Sequence, residues 1–147
     1  MKVLLIQPNY NLENDKQQEY TYVPYNFCLL AAMIEKICDV KIIDAYVNKY
    51  SNEQLKSIII KENPDVVGVT TLMDQGKNFG HAVAKIVKEI SQKIKVLYGG
   101  VYVTTNPDVA IQDDNVDYFF LGEGEYTLPE MIKYFKGEGA LPKKGIM

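Results

Sequence analysis

Five short apolar runs, each too dense in branched residues to leave a polar face, alternate along this chain with longer stretches of helical spacing. Lys2 to Gln7, Val40 to Asp44, Val66 to Thr70, Lys95 to Tyr98 and Val116 to Leu121 read as strands. The third opens DVVGVTTLMDQG, Asp65 to Gly76, and Val66, Val67 and Val69 predict a strand covered on both sides, as inner strands of parallel sheets are. Between the strands, Phe27, Leu30, Ala31, Ile34 and Ile37 recur at helical spacing behind Asn26, which is placed to cap the helix. Ser51 and Gln54 form a capping box before Leu55, Ile58 and Ile59, and Asn63-Pro64 stops that helix. A third helix, Asn78 to Ser91, buries Phe79, Val83, Ile86, Val87 and Ile90. Asn106-Pro107 opens a short helix with proline in its first turn, and Thr127 with Glu130 opens the last, which ends near Gly137.

Strands alternating with helices imply parallel pairing through right-handed crossovers. The expected fold is α/β: a flavodoxin-like (Rossmann-like) three-layer sandwich with a five-stranded parallel sheet of order 2-1-3-4-5, occupying residues 1–137. Residues 138–147 have no packing pattern and read as a linker. In such a sheet ligands bind beyond the carboxyl ends of the strands, near the point where strand order reverses. The pocket mouth is therefore assigned to Pro8, Asn9 and Tyr10, to Thr70, Thr71 and Leu72 in the segment running on to Gly76, to Gly99, Gly100 and Val101 in the segment to Thr105, and to Gly122, Glu123 and Gly124 in the turn to Glu125. The polar segment Asn11 to Tyr22 is long enough for a functional loop, and Tyr10, Tyr20, Tyr22 and Tyr25 around it read either as a lid or interface, or as a stacking surface for a small molecule.

Composition narrows the partners. At 147 residues, 47% hydrophobic and 24% charged, the chain suits one globular domain. No apolar run reaches the ~20 residues of a membrane span, so no membrane partner and a cytoplasmic location are expected. All sixteen basic residues are lysine and the net charge is -3, which removes guanidinium grips and argues against nucleic acid. Cys28 and Cys38 lack disulfide-framework or metal-knuckle spacing and are expected to be buried in one helix.

The loops exclude several chemistries. The turn after the first strand, Gln7 to Tyr10, has no glycine for a pyrophosphate, and the Gly-x-Gly that directly follows the fifth strand encloses Glu123. A phosphoacceptor site needs acids where Asn9 and Thr70 stand. His81, the sole histidine, lies early in the third helix, where a first-turn or solvent-facing role is expected, and Glu123 with Glu125 suits helix capping more than acid–base work. No catalytic or metal-ligating residue is assigned. What remains is a smooth slot: glycines ending the fourth strand read either as a tight turn or as a wall without Cβ atoms, beside threonine hydroxyls ending the third.

GVTTL (Gly68 to Leu72), VLYGGV (Val96 to Val101) and DYFFLGEGEYTLPE (Asp117 to Glu130), with VLLIQPNY, VPYNFCLLAAMIEK and VKIIDA earlier, resemble the N-terminal cobalamin (vitamin B12)-binding domain of cobalamin-dependent radical S-adenosylmethionine enzymes, over nearly the whole chain. The resemblance implies cobalamin as cofactor, with Thr70 and Leu72 standing for a Ser-x-Leu motif and Gly99-Gly100 for a Gly-Gly motif that line the slot for the dimethylbenzimidazole tail. Mutases and methionine synthase of the broader fold carry an Asp-x-His-x-x-Gly loop after the first strand; this chain has no histidine there, so the resemblance implies base-off cobalamin without a histidine on cobalt. It further implies that a radical S-adenosylmethionine domain, with its 4Fe-4S cluster, follows the linker and that the whole chain is a methyltransferase-like enzyme, since neither cysteine belongs to a Cys-x-x-x-Cys-x-x-Cys motif. The alternative is the same fold without cofactor, acting as a docking or substrate-presenting module.

Overall fold

A computed structural model describes residues 1–10, 23–71 and 77–147, with backbone only for Lys77. Five strands, β1 (Lys2–Gln7), β2 (Asp39–Asp44), β3 (Val66–Thr70), β4 (Lys95–Gly99) and β5 (Tyr118–Phe119), form a sheet of order β2-β1-β3-β4-β5, parallel throughout. The helices are α1 (Tyr25–Ile34), α2 (Asn52–Glu62), α3 (Lys77–Ile90), α4 (Val101–Thr105), α5 (Pro107–Ala110) and α6 (Gly124–Phe135). This is the flavodoxin-like topology expected.

The period-2 alternation of each inner strand divides the core between two layers. Leu4, Ile6, Val67, Val69, Val96 and Tyr98 face the layer that includes α2 and α3, with Leu55, Ile59, Val83 and Val87. Val3, Leu5, Val66 and Leu97 face α1 and α6, with Phe27, Ile34, Leu128, Met131 and Ile132. On this second face β3 and β4 also present Gly68, Thr70 and Gly99, and there the packing opens.

Several local expectations hold and others shift. The capping box at Ser51 is complete, and Asn63 ends α2 in the left-handed conformation, φ 46°, before Pro64. Asn26 does not cap α1: the helix begins two residues earlier, with Pro24 at the N-cap position and Tyr25 N–H donating to Val23 O at 2.7 Å, which frees the Asn26 side chain. The last helix starts at Gly124 rather than Thr127, carrying Pro129 inside it, so the Thr127-to-Glu130 spacing, read as a start, places it too late. Helix α4 was not expected, because Val, Thr and Tyr are weak helix formers; burial of Tyr102 and Val103 overrides that propensity. Cys28 is exposed, and Cys38 lies beyond the end of α1, half-buried.

Within residues 138–147, where no packing pattern was legible, Phe120 and Ile146 form an antiparallel bridge. Phe119 and Met147 exchange backbone hydrogen bonds at 2.9 Å, and Leu121 N–H donates to Gly145 O at 2.9 Å. Pairing of this kind runs through the backbone and leaves no side-chain periodicity to read.

Candidate functional site

Residues Leu5, Gly68, Thr70, Leu97 and Gly99 floor a cavity of about 320 Å³ on the α1/α6 face, at the carboxyl end of the sheet. They lie on three adjacent strands, in register as Leu5↔Gly68, Gly68↔Leu97 and Thr70↔Gly99. One wall is α1, through Asn26, Phe27 and Leu30; another is the β4–α4 turn, through Gly100, Val101, Thr104 and Thr105; the third is Phe120 with the turn Gly122 to Glu125 and Leu128. Gly122 N–H donates to the Thr104 hydroxyl at 2.9 Å, which ties the second wall to the third.

The two glycines ending β4 separate into two jobs. Gly100 has φ +105°, and a Cβ there would lie 2.4 Å from Thr71 O and 2.7 Å from Thr70 Oγ1, so the turn itself requires glycine. Gly99 has no such backbone. A Cβ on it would meet Phe120 Cβ at 3.2 Å, so its bareness lets the Phe120 wall approach the strand while the floor stays smooth. Gly124 does likewise for α6 against α1, where a Cβ would stand 3.3 Å from Leu30 Cδ2.

Few polar groups face this mostly apolar space. Thr70, 4% exposed, places its hydroxyl 3.5 Å from Asn26 Nδ2, so an alcohol and an amide sit together at the end of β3. Glu125, at the start of α6, buries its Oε2 with no hydrogen-bond partner among the described residues.

Of the residues read from sequence, Thr70, Gly99, Gly100, Val101, Gly122, Glu123 and Gly124 come together around the cavity. Pro8, Asn9, Tyr10 and Thr71 do not line it. Asn9 Nδ2 donates to Tyr50 O at 3.1 Å, and the Tyr10 hydroxyl lies 3.1 Å from Gln7 Nε2 and 3.4 Å from Thr70 O, its ring against Tyr46 and Phe79. Thr71, one residue beyond Thr70, points to the opposite face, its hydroxyl 3.1 Å from that of buried Tyr98. Leu72 lies outside the described residues. The sequence reading did not select Leu5, Gly68, Leu97 or Asn26, although strict alternation outward from Thr70 and Gly99 points to Gly68 and Leu97.

His81 lies on the far side of the sheet. Its Nδ1 is 2.5 Å from Asp113 Oδ2 and its Nε2 3.3 Å from the Tyr102 hydroxyl, and its ring packs edge-on against Tyr98. It bridges α3 to α4 and to the segment after α5 instead of facing solvent alone. Among the described residues no three His, Cys, Asp or Glu side chains gather as a metal site, and no helix is long and apolar enough to cross a membrane.

The model of the B12 binding domain matches residues 17–132. The chain belongs to the B12-binding domain family. Similar proteins agree with that placement. An uncharacterized methyltransferase of Pyrococcus horikoshii, PH0819, is 32% identical over 133 residues, which are 90% of this chain and 29% of that protein. The structure of the radical S-adenosylmethionine methyltransferase TsrM from Kitasatospora setae, with cobalamin and a [4Fe-4S] cluster bound, superposes with a TM-score of 0.80 at 19% identity, covering 99% of this chain and 26% of the other. The cobalamin-dependent S-adenosylmethionine radical enzyme OxsB, with aqua-cobalamin and S-adenosylmethionine bound, gives 0.78 at 21% identity, covering 99% and 20%. The chain thus spans between a fifth and a third of the length of these relatives.

The B12-binding domain fold supplies what the cavity lacks a name for, and the residues suit the cofactor. A cavity near the small end of the roughly 300–1,000 Å³ range of ligand sites admits a flat base with its sugar and excludes a whole corrin. The Cβ-free positions at Gly68 and Gly99 form a floor on which a ring can lie, and Thr70 and Asn26 offer donors at its edge.

Proposed function

We propose that this B12-binding domain holds cobalamin base-off, with its nucleotide tail in the slot over Thr70 and Gly99, as one domain of a radical S-adenosylmethionine methyltransferase. The observation that carries the reading is the open cavity itself, floored by register partners from three strands and filled by no side chain of the described residues. Gly68, Leu97 and Gly99 would support the ring, and Leu5, Phe27 and Phe120 would exclude water from it. Thr70 and Asn26 would satisfy the ring nitrogen that a base-off tail leaves free of cobalt. Bound cobalamin would supply a cobalt able to carry a methyl group. His81 is on the other face of the sheet, among Asp113, Tyr102 and Tyr98, which supports a cobalt without a histidine ligand from the described residues.

Residues 138–147 would lead on to the domain carrying the iron–sulfur cluster and S-adenosylmethionine, and the similarity to much longer methyltransferases supports that organisation. The acidic net charge and the lack of arginine fit a soluble cytoplasmic protein without a nucleic-acid partner.

The test is reconstitution. Purified domain mixed with hydroxocobalamin and desalted should retain colour in stoichiometric amount, with an absorption spectrum unlike that of histidine-ligated cobalamin. Folded protein that emerges colourless would instead favour a docking or substrate-presenting module, and a histidine-ligated spectrum would reject the base-off assignment.

A further inference from the structure

Buried polar atoms in folded proteins almost always have a hydrogen-bond partner, and one that has none calls for an explanation. Among the described residues Glu125 Oε2 is such an atom, and Glu125 stands on the wall of the tail slot where α6 begins. A carboxylate oxygen accepts and does not donate, so its partner must bring the hydrogen. The slot is otherwise mostly apolar and too small for the corrin, which leaves the parts of the nucleotide tail. The flat base carries only an accepting nitrogen, for which Thr70 and Asn26 provide donors. The phosphate is anionic and would be repelled by Glu123 and Glu125, both of which line this wall. The ribose remains, and its free hydroxyls donate; carboxylates recognise ribose in this way in dinucleotide-binding folds.

We infer that Glu125 selects the nucleotide tail by accepting a hydrogen bond from a ribose hydroxyl, a specificity role resting on the slot reading above. The Gly122-to-Glu125 turn then does two things at once. Gly124 lets α6 approach Leu30 closely, and that approach sets the next residue, Glu125, on the wall of the slot.

The experiment compares hydroxocobalamin with cobinamide, which has the corrin but neither base nor ribose, by spectroscopic titration of the wild-type domain and of Glu125→Ala and Glu125→Gln. Glu125→Ala should weaken cobalamin binding at least tenfold and change cobinamide binding less than twofold. Glu125→Gln, nearly isosteric and so least disturbing to α6, should also weaken cobalamin selectively, by a smaller factor. The apo domain's melting temperature should not fall in either variant, because no partner is lost without ligand. Equal weakening of both corrinoids, undiminished cobalamin affinity, or a fall in apo stability that tracks the loss of binding would overturn the inference. Wild-type protein that does not prefer cobalamin to cobinamide would refute the slot reading itself and is separable from these results.

Discussion

Thr70 and Gly99 are register partners across β3 and β4 and face the same side of the sheet, so a hydroxyl and a bare backbone stand next to each other at the end of the two central strands. Their immediate neighbours face the other way: Thr71 and Tyr98 bond to each other through their hydroxyls at 3.1 Å in the opposite layer. One pair of strands therefore ends in a packed polar contact on one face and an open slot on the other.

The Thr70 hydroxyl can be removed without changing shape. Thr70→Val should weaken hydroxocobalamin binding by about 3- to 10-fold, the worth of one hydrogen bond of about 1 kcal/mol, while Thr70→Ser should bind within about threefold of wild type. Equilibrium titration of the three proteins checks this; an unaffected Thr70→Val would remove the hydroxyl from the ligand's environment.

Gly80 meets Tyr98 on the far face. A Cβ at residue 80 would lie 2.1 Å from the Tyr98 hydroxyl oxygen and 2.5 Å from Cζ, and Tyr98 is fully buried. Gly80→Ala should destabilise the domain by about 2 kcal/mol through overpacking, lowering the melting temperature by about 6 °C for a chain of this size. Thermal unfolding followed by circular dichroism measures it.

Lys88, 7% exposed, donates to Asp117 Oδ2 at 2.6 Å and to Ile94 O at 2.8 Å, and Asp117 also accepts from Val96 N–H at 2.7 Å and from Lys95. Burial alone would raise the Asp117 carboxyl, but Lys88, the Val96 amide and Lys95 outweigh it and hold it below the usual carboxylate range. A group depressed in the folded state stabilises above its unfolded value of about 3.9, and that stability is lost as pH falls through the lower folded value. Asp117→Asn should therefore cost about 3 kcal/mol at pH 7 by leaving Lys88 buried without its counter-charge, and should flatten the loss of stability below pH 4. Melting temperatures of both proteins from pH 7 to pH 3 provide the comparison.

Gly145 has φ +75°, and a Cβ there would stand 2.8 Å from Thr127 Oγ1. Gly145→Ala should destabilise by about 1–2 kcal/mol from the left-handed backbone alone, and should speed hydrogen exchange at Leu121, whose N–H is bonded to Gly145 O. Exchange mass spectrometry of the β5–α6 segment reads it out; unchanged exchange would mean that the pairing is not maintained in solution.

His81→Ala should leave the spectrum of bound cobalamin unchanged, because the side chain is committed to Asp113 and Tyr102 on the opposite face. A spectral shift would put that histidine, or something it positions, on cobalt.

The periodicities of this chain determined the order and type of its principal elements, because unbroken branched runs such as Val66 to Thr70 are stable only when buried on both faces, and a parallel sheet with helical crossovers provides that burial. They also marked the ends of β3 and β4 as the ligand-facing edge. Which residues share that edge was a tertiary decision. Thr70 and Thr71 are indistinguishable as letters, yet the pleat sends one into the slot and the other into the core. Asn26 looked like a cap and became a slot residue when α1 began two residues early. Glu125 looked like a helix-terminal acid until the close approach of Gly124 to Leu30 set it on the wall of the slot. Local propensity acts on a residue and its neighbours within a turn, whereas a binding wall is made where distant segments meet, and only their packing decides which side chains are left facing the space between them.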